Sequence, residues 1–131
     1  MMAGNFRVTT LNIGGSTTIA GLLSILRLEK PQIVMLQEVV LTSEQLNVQV
    51  AKYGYSAVTN IDVTSPSTLG TGAVWQSHLP VGDVYSVIEC RAQALNIGQY
   101  TSINIFAPSG SQNRNARREF FGQVISEQYE V

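Results

Sequence analysis

Charge is scarce in this chain: charged residues make up 13% of its 131 positions, about half of the ~25% usual in soluble domains. Eight Lys and Arg against nine Asp and Glu give a net charge of −1, which excludes a globally polycationic nucleic-acid binder. Any contact with nucleic acid has to come from a local basic cluster. Cysteine is nearly absent. Cys90 alone excludes an intrachain disulfide and a cysteine-rich zinc site, and it points to a reduced, intracellular setting. No run approaches the ~18 apolar residues that cross a bilayer. The opening Met1-Met2-Ala3-Gly4-Asn5-Phe6-Arg7 lacks the basic region and long apolar core of a signal peptide. What is plentiful is apolar side chain, at 44%. That suffices for the core of one domain, and with so little charge it predicts apolar surface that something must cover.

Residues 6–13, rich in Val, Thr, Leu and Ile, read as a first strand. Gly14-Gly15-Ser16 makes a turn, and a helix is expected from Thr17, with Ile19, Leu22, Leu23 and Leu26 on one face. Pro31 stops it. Residues 32–37 are apolar on both faces, as in a buried parallel strand, so the opening reads as a βαβ unit. A second helix starts at Thr42, where Thr42 and Gln45 form a capping-box pattern and Leu41 and Leu46 a hydrophobic staple. Leu46, Val50 and Tyr53 are expected on its inner face, with Gly54 as its stop. Short strands follow at 55–59, 72–76, 84–90, 92–97 and 101–107, with a polar loop over 60–71. A last helix is expected over 113–128. The class is α/β, α+β in sequence order, with a mixed and mainly antiparallel sheet and helices on one face.

Glu38 is the residue to follow. It closes the run Ile33-Val34-Met35-Leu36-Gln37-Glu38, while Asn12 ends the first strand. If these strands are parallel neighbours, both side chains lie on the sheet edge where open α/β sheets hold ligands. A carboxylate beside a carboxamide suits a hard divalent cation. Taken singly, Glu38 is equally a polar residue leaving the sheet, and Asn12 a turn former. Gly14-Gly15-Ser16-Thr17 could cradle a phosphate, but it lacks the lysine of a P-loop. His78, the only histidine, has no serine or cysteine partner motif and reads as a surface residue. Cys90 reads as core packing. Arg114, Arg117 and Arg118 form the densest basic cluster, which is either a solvated helix face or a phosphate contact.

Thr10-Leu11-Asn12-Ile13, Gln37-Glu38, Gly70-Thr71-Gly72-Ala73-Val74, Arg91-Ala92-Gln93-Ala94-Leu95 and Asn104-Ile105-Phe106-Ala107-Pro108-Ser109-Gly110 together resemble the endonuclease/exonuclease/phosphatase superfamily. More narrowly they resemble the apurinic-type endonuclease domain of LINE-type non-LTR retrotransposons. The resemblance implies a four-layered α/β sandwich and cleavage of DNA phosphodiesters with Mg²⁺, or Mn²⁺ in its place, in the nucleus. It assigns Glu38 to the metal, Asn12 to the same metal site, and Ser109, Arg114, Arg117 and Arg118 to the nucleic-acid backbone. Position 106 belongs to the catalytic set, where the family has a tyrosine whose phenol holds the scissile phosphate; here it is Phe106.

The later Asp-X-Asn and Ser-Asp-His motifs, which supply the nucleophile-activating aspartate and the histidine, have no match, and His78 comes too early to substitute. Residues 1–131 are therefore expected to be the N-terminal part of one domain, inactive alone. Its partners would be DNA and the missing C-terminal half, not a membrane, with self-association through an exposed apolar face. A small-molecule or lipid phosphatase and a non-catalytic binding remnant stand as alternatives.

Overall fold

The computed structural model describes residues 6–65 and 67–106. The elements run β1 (Val8–Asn12), α1 (Ala20–Leu28), β2 (Ile33–Val39), α2 (Ser43–Val50), a 3₁₀ turn (Ala51–Tyr53), β3 (Tyr55–Asn60), β4 (Gly70–Gln76), β5 (Val81–Ile88), β6 (Ala92–Ile97) and β7 (Tyr100–Ile105). The helix expected over 113–128 lies outside the described residues.

The strands form two sheets, ordered β1-β2-β4-β3 and β5-β6-β7. β1 and β2 are parallel and every other pairing is antiparallel. This is the expected mixed, mainly antiparallel α/β arrangement, divided between two stacked sheets.

Alternation of side chains across a strand builds the layers. Val34 and Leu36 of β2, Val74 of β4, and Tyr55 and Ala57 of β3 face one way. They share a core with Ile19, Leu22 and Leu26 of the first helix region and Leu46 and Val50 of α2. Ile33 and Met35 of β2 and Ala73 of β4 face the other way, against Leu95 and Ile97 of β6. Both described helices thus cover one sheet, and that sheet's other face packs on the second.

The capping box forms as expected. The Gln45 amide donates to Thr42 Oγ1 at 3.1 Å, and the Thr42 amide donates to Gln45 Oε1 at 2.9 Å. Two local expectations fail. α1 begins at Ala20, not Thr17, because the Ser16 and Thr18 hydroxyls and backbone bond to one another and hold the preceding residues in a turn. Tyr53 does not continue the inner face of α2. It sits in the 3₁₀ turn, 39% exposed, where the change of period rotates it outward.

At one end the space between the sheets turns polar. Asn60 Nδ2 on β3 donates to the Ile88 and Ala92 carbonyls, each at 3.0 Å. Gln93 Nε2 on β6 donates to the Val58 carbonyl at 3.0 Å. Asn104 on β7 donates to the Leu36 and Gly72 carbonyls at 2.9 and 3.1 Å and accepts from Gln37 Nε2 at 2.8 Å. All three carboxamides are buried. Gly70 begins β4 here, and a Cβ on it would lie 2.2 Å from the Asn60 carbonyl oxygen.

Of the exposed apolar surface expected, the described residues show isolated side chains and one seam. Leu28, Val48 and Val63 are exposed singly, which is ordinary. Val8 and Tyr100 instead line a seam with Phe6, Ile33 and Ile97, at the margin where β1 and β7 edge the two sheets.

Asn104→Leu should destabilise the fold by about 1–3 kcal/mol, since it removes three hydrogen bonds that a buried side chain makes between the sheets. Urea unfolding checks this, and a loss within error of zero would show that the contact between the sheets does not depend on the clip.

Candidate metal and phosphate site

The parallel register pairs Asn12 with Gln37, so the end of β1 lies beside the residue after Gln37. Asn12 Nδ2 donates to Glu38 Oε2 at 2.8 Å. The pairing expected at the strand ends is present as a direct contact.

Glu38 does not close β2, which runs on to Val39. It is the extra residue of a bulge, skipped between the Gln37–Thr71 and Val39–Gly70 pairs with β4, and its φ is 58°. A bulge of this kind re-aims one side chain out of the sheet. Left-handed backbone at a glutamate costs about 1–2 kcal/mol relative to glycine, so it persists only where neighbours hold it.

The Gly14-Gly15 turn supplies part of that hold. Both glycines have positive φ, 64° and 70°, conformations in which glycine carries no Cβ penalty. Their amides turn back onto the site: Gly14 N–H donates to Asn12 Oδ1 at 2.8 Å, and Gly15 N–H donates to the Glu38 carbonyl at 2.7 Å. This turn braces Asn12 and Glu38, so the two amides that a phosphate cradle would need are already engaged. From the other side, the Asn104–Gln37 bond fixes the residue before Glu38.

The second sheet brings Phe106 and Arg91 to the same end. β6 and β7 pair Ala92 with Ile105, so Arg91 and Phe106 flank the pair. The Phe106 amide donates to the Arg91 carbonyl at 2.7 Å, and Arg91 Nη1 donates to the Phe106 carbonyl at 3.2 Å. The guanidinium carbon stands 5.1 Å from the Phe106 ring centroid, within cation–π range.

Ser109, Arg114, Arg117 and Arg118 lie outside the described residues. His78 is exposed in the turn between β4 and β5, at the opposite end of the sheet from Glu38. Cys90 is not in a strand. It occupies the β5–β6 turn with φ 64°, and burial raises its thiol pKa, with the Glu89 charge adding to the effect. Asp62, in the loop after β3, has its carboxyl pKa lowered by the Thr64 hydroxyl and amide. Its contribution to stability is therefore present above the unfolded-state pKa and lost as pH falls through the folded value.

The donor set fits a magnesium-type ion. Such an ion keeps several waters and takes one or two carboxylates, and Glu38 offers one carboxylate with Oε2 oriented by Asn12. Among the described residues no group of three His, Cys, Asp or Glu could hold a metal. Asn12 stands here as a hydrogen-bond donor to Glu38. To serve as an oxygen ligand it would have to share or give up the Gly14 amide on Oδ1. Sequence reasoning missed Gln37, Asn104 and the two glycine amides as parts of the site. The available signal was a carboxamide standing where a strand is otherwise apolar, as in Ile103-Asn104-Ile105.

No family model and no curated protein matches the sequence. Solved structures do match. An AP endonuclease from Archaeoglobus fulgidus is 19% identical with a TM-score of 0.71, over 97% of this chain and 52% of that one. A 3′ phosphatase, NExo, from Neisseria, bound to a product DNA hairpin, is 16% identical with a TM-score of 0.71, over 93% and 51%. D. rerio TDP2 complexed with a single-strand DNA product is 14% identical with a TM-score of 0.60, over 95% and 55%. The chain has the endonuclease/exonuclease/phosphatase-like fold, and it spans about half the length of these structures.

Glu38→Gly and Glu38→Ala both remove the carboxylate, but only glycine relieves the left-handed backbone. The glycine variant should be the more stable of the two by about 1 kcal/mol, measured by thermal or urea unfolding. Equal stabilities would mean that the bulge carries no strain.

Proposed function

We propose that this chain is the N-terminal part of a Mg²⁺-dependent, phosphodiester-cleaving DNA endonuclease domain of the non-LTR retrotransposon type. The observation that carries the reading is the 2.8 Å Asn12–Glu38 contact, made by a glutamate held in left-handed backbone at the end of a parallel strand pair. The fold supports it, since the similar structures are an AP endonuclease, a 3′ phosphatase and TDP2, two of them bound to DNA products. The retrotransposon branch rests on the sequence stretches Arg91–Leu95 and Phe106–Gly110.

Glu38 would hold the ion, Mg²⁺ or Mn²⁺, through the carboxylate that Asn12 orients. Bound there, the ion supplies polarisation of the phosphate and charge stabilisation of the departing alkoxide. Asn12 fixes the carboxylate rotamer, and the Gly14 and Gly15 amides fix Asn12 and the Glu38 backbone. Phe106 keeps a ring beside the phosphate position but has no hydroxyl to offer. The side-chain hydrogen bond at Glu38 comes from Asn12, a carboxamide that cannot take a proton from attacking water. That step, worth about 10²–10⁴-fold, falls to a C-terminal half carrying the Asp-X-Asn and Ser-Asp-His motifs. The same half is a fitting cover for the apolar seam around Val8 and Tyr100, which otherwise invites self-association. DNA in the nucleus would be the substrate, nicked to leave a 3′ hydroxyl that primes reverse transcription. Phe106 favours one other reading, a non-catalytic remnant that binds DNA without cutting it.

Plasmid nicking in Mg²⁺ separates these readings. This chain should be inactive, a version extended beyond Val131 active, and the extended version with Glu38→Ala reduced at least 10²-fold. Nicking that survives loss of Glu38 would refute the site, and an extended protein that binds without nicking would establish the remnant.

A further inference from the structure

Two cations and the only histidine of the chain meet at the end of the first sheet opposite Glu38. An open cavity of about 510 Å³ lies there, between the C-terminal end of α1 and the 3₁₀ turn, and Arg27, Lys30 and His78 line it together with Tyr53 and Gln76. No Asp or Glu is among its described lining residues.

Arg27 has an ordinary explanation, since a cation in the last turn of a helix complements the negative end of the helix dipole. The same reason covers the charge of Lys30 but not its backbone. Lys30 follows the Glu29 cap with φ 51°, at the position where a helix end ordinarily takes glycine, because left-handed backbone crowds the Cβ of any other residue. It is held there from both sides. Its amide donates to the Ile25 carbonyl at 3.2 Å, and Gln76 Nε2 donates to its carbonyl at 3.2 Å. The Tyr55 hydroxyl then fixes the next carbonyl, that of Pro31. An unfavourable conformation braced in this way at the rim of a cavity points to a use for the lysine side chain there.

The lining determines what the cavity can take. A terminal phosphate carries nearly two negative charges at neutral pH, which two cations match; a carboxylate would leave one of them unmatched. The guanidinium of Arg27 can bind two phosphate oxygens in parallel, and the Lys30 ammonium acts as a point charge. His78 can add a ring N–H donor. The volume lies in the range of roughly 300–1,000 Å³ typical of small-molecule sites, more than a bare phosphate needs. Tyr53, turned outward in the 3₁₀ turn, supplies an aromatic surface of the kind on which bases stack.

We propose that this cavity binds a terminal phosphate carried on a nucleoside, with Arg27 and Lys30 on the phosphate and Tyr53 against the base. The seven residues of β2 separate it from Glu38 by roughly 20 Å, so the proposal stands independently of the metal-site reading. A free nucleoside monophosphate and the phosphorylated end of a nucleic-acid strand both offer this chemistry.

The test is an amide NMR titration of the chain in EDTA with AMP, adenosine, inorganic phosphate, and a short oligonucleotide with and without a 5′ phosphate. AMP should shift the Lys30, Tyr53 and His78 amides saturably with a Kd of roughly 1 mM or below; inorganic phosphate should bind more weakly and adenosine not at all. Arg27→Gln and Lys30→Gln should each weaken AMP about tenfold. Lys30→Gly guards against a misfolded variant: it relieves the left-handed backbone, so it should melt no lower than the unaltered chain and still bind about tenfold more weakly. No saturable AMP shift, equal binding of AMP and inorganic phosphate, or AMP binding that survives loss of both charges overturns the proposal and leaves Arg27 and Lys30 as cations serving the helix end. An oligonucleotide that binds only when phosphorylated identifies a strand end as the source, and binding of AMP without it identifies a free nucleotide.

Discussion

The constraint on which this structure depends is the Asn104 carboxamide, which reaches from one sheet and is satisfied by the other. Apolar contact between the sheets, through Ile33, Met35, Ala73, Leu95 and Ile97, is favourable but non-directional; it holds the layers together without fixing how they slide. Asn104 removes that freedom, since its amide finds both acceptors, Leu36 and Gly72, in one relative placement of β7 against β2 and β4. Asn60 and Gln93 make the same demand from β3 and β6. In a low-dielectric interior an unmade bond of this kind costs more than a made one contributes, so the polar end sets the register and the apolar part follows. Among the described residues the fit is incomplete: Thr71 Oγ1 and Gln93 Oε1 are buried and find no partner there.

What could be read in the sequence was what short segments determine. The capping box of α2 needs only Thr42 and Gln45, and it formed. The parallel pairing of β1 with β2 follows from strand, helix and strand in a short length, and it placed Asn12 beside Glu38. The local failures have local causes: the Ser16 and Thr18 hydroxyls delayed α1, and the 3₁₀ turn rotated Tyr53 outward. The bulge at Glu38 was beyond reach because it exists only relative to β4, as a skipped partner between Thr71 and Gly70. The partners of Asn60, Gln93 and Asn104 could not be assigned for a similar reason. In a strand pattern they read as the solvent-facing half of an alternation, and the layer that buries them comes from strands far away in the chain.

The candidate site inherits this division. Glu38 is carried by the first sheet and Phe106 by the second, and of the bonds between the sheets the Asn104–Gln37 bond lies nearest to both in sequence. That bond joins the residue before Glu38 to a residue two before Phe106. A carboxylate and an aromatic ring at one end of the molecule are thereby linked through a hydrogen bond that involves neither of them. The helices stand on the far face of the first sheet and take no direct part.

The backbone of Glu38 carries a cost that its surroundings have to meet. A chain that merely had to bulge at this point would be best served by glycine, or by asparagine, which tolerates left-handed backbone. Glutamate there is less stable by about 1–2 kcal/mol, and its charge gains no cationic partner among the described residues; its hydrogen bond is from the neutral Asn12 amide. Folding alone therefore disfavours this residue at this place. The surroundings nevertheless hold it with the Gly15 amide on its carbonyl, the Asn12 amide on its side chain and the Asn104 clip on its predecessor. That bracing is what lets an unfavourable backbone conformation persist at this position.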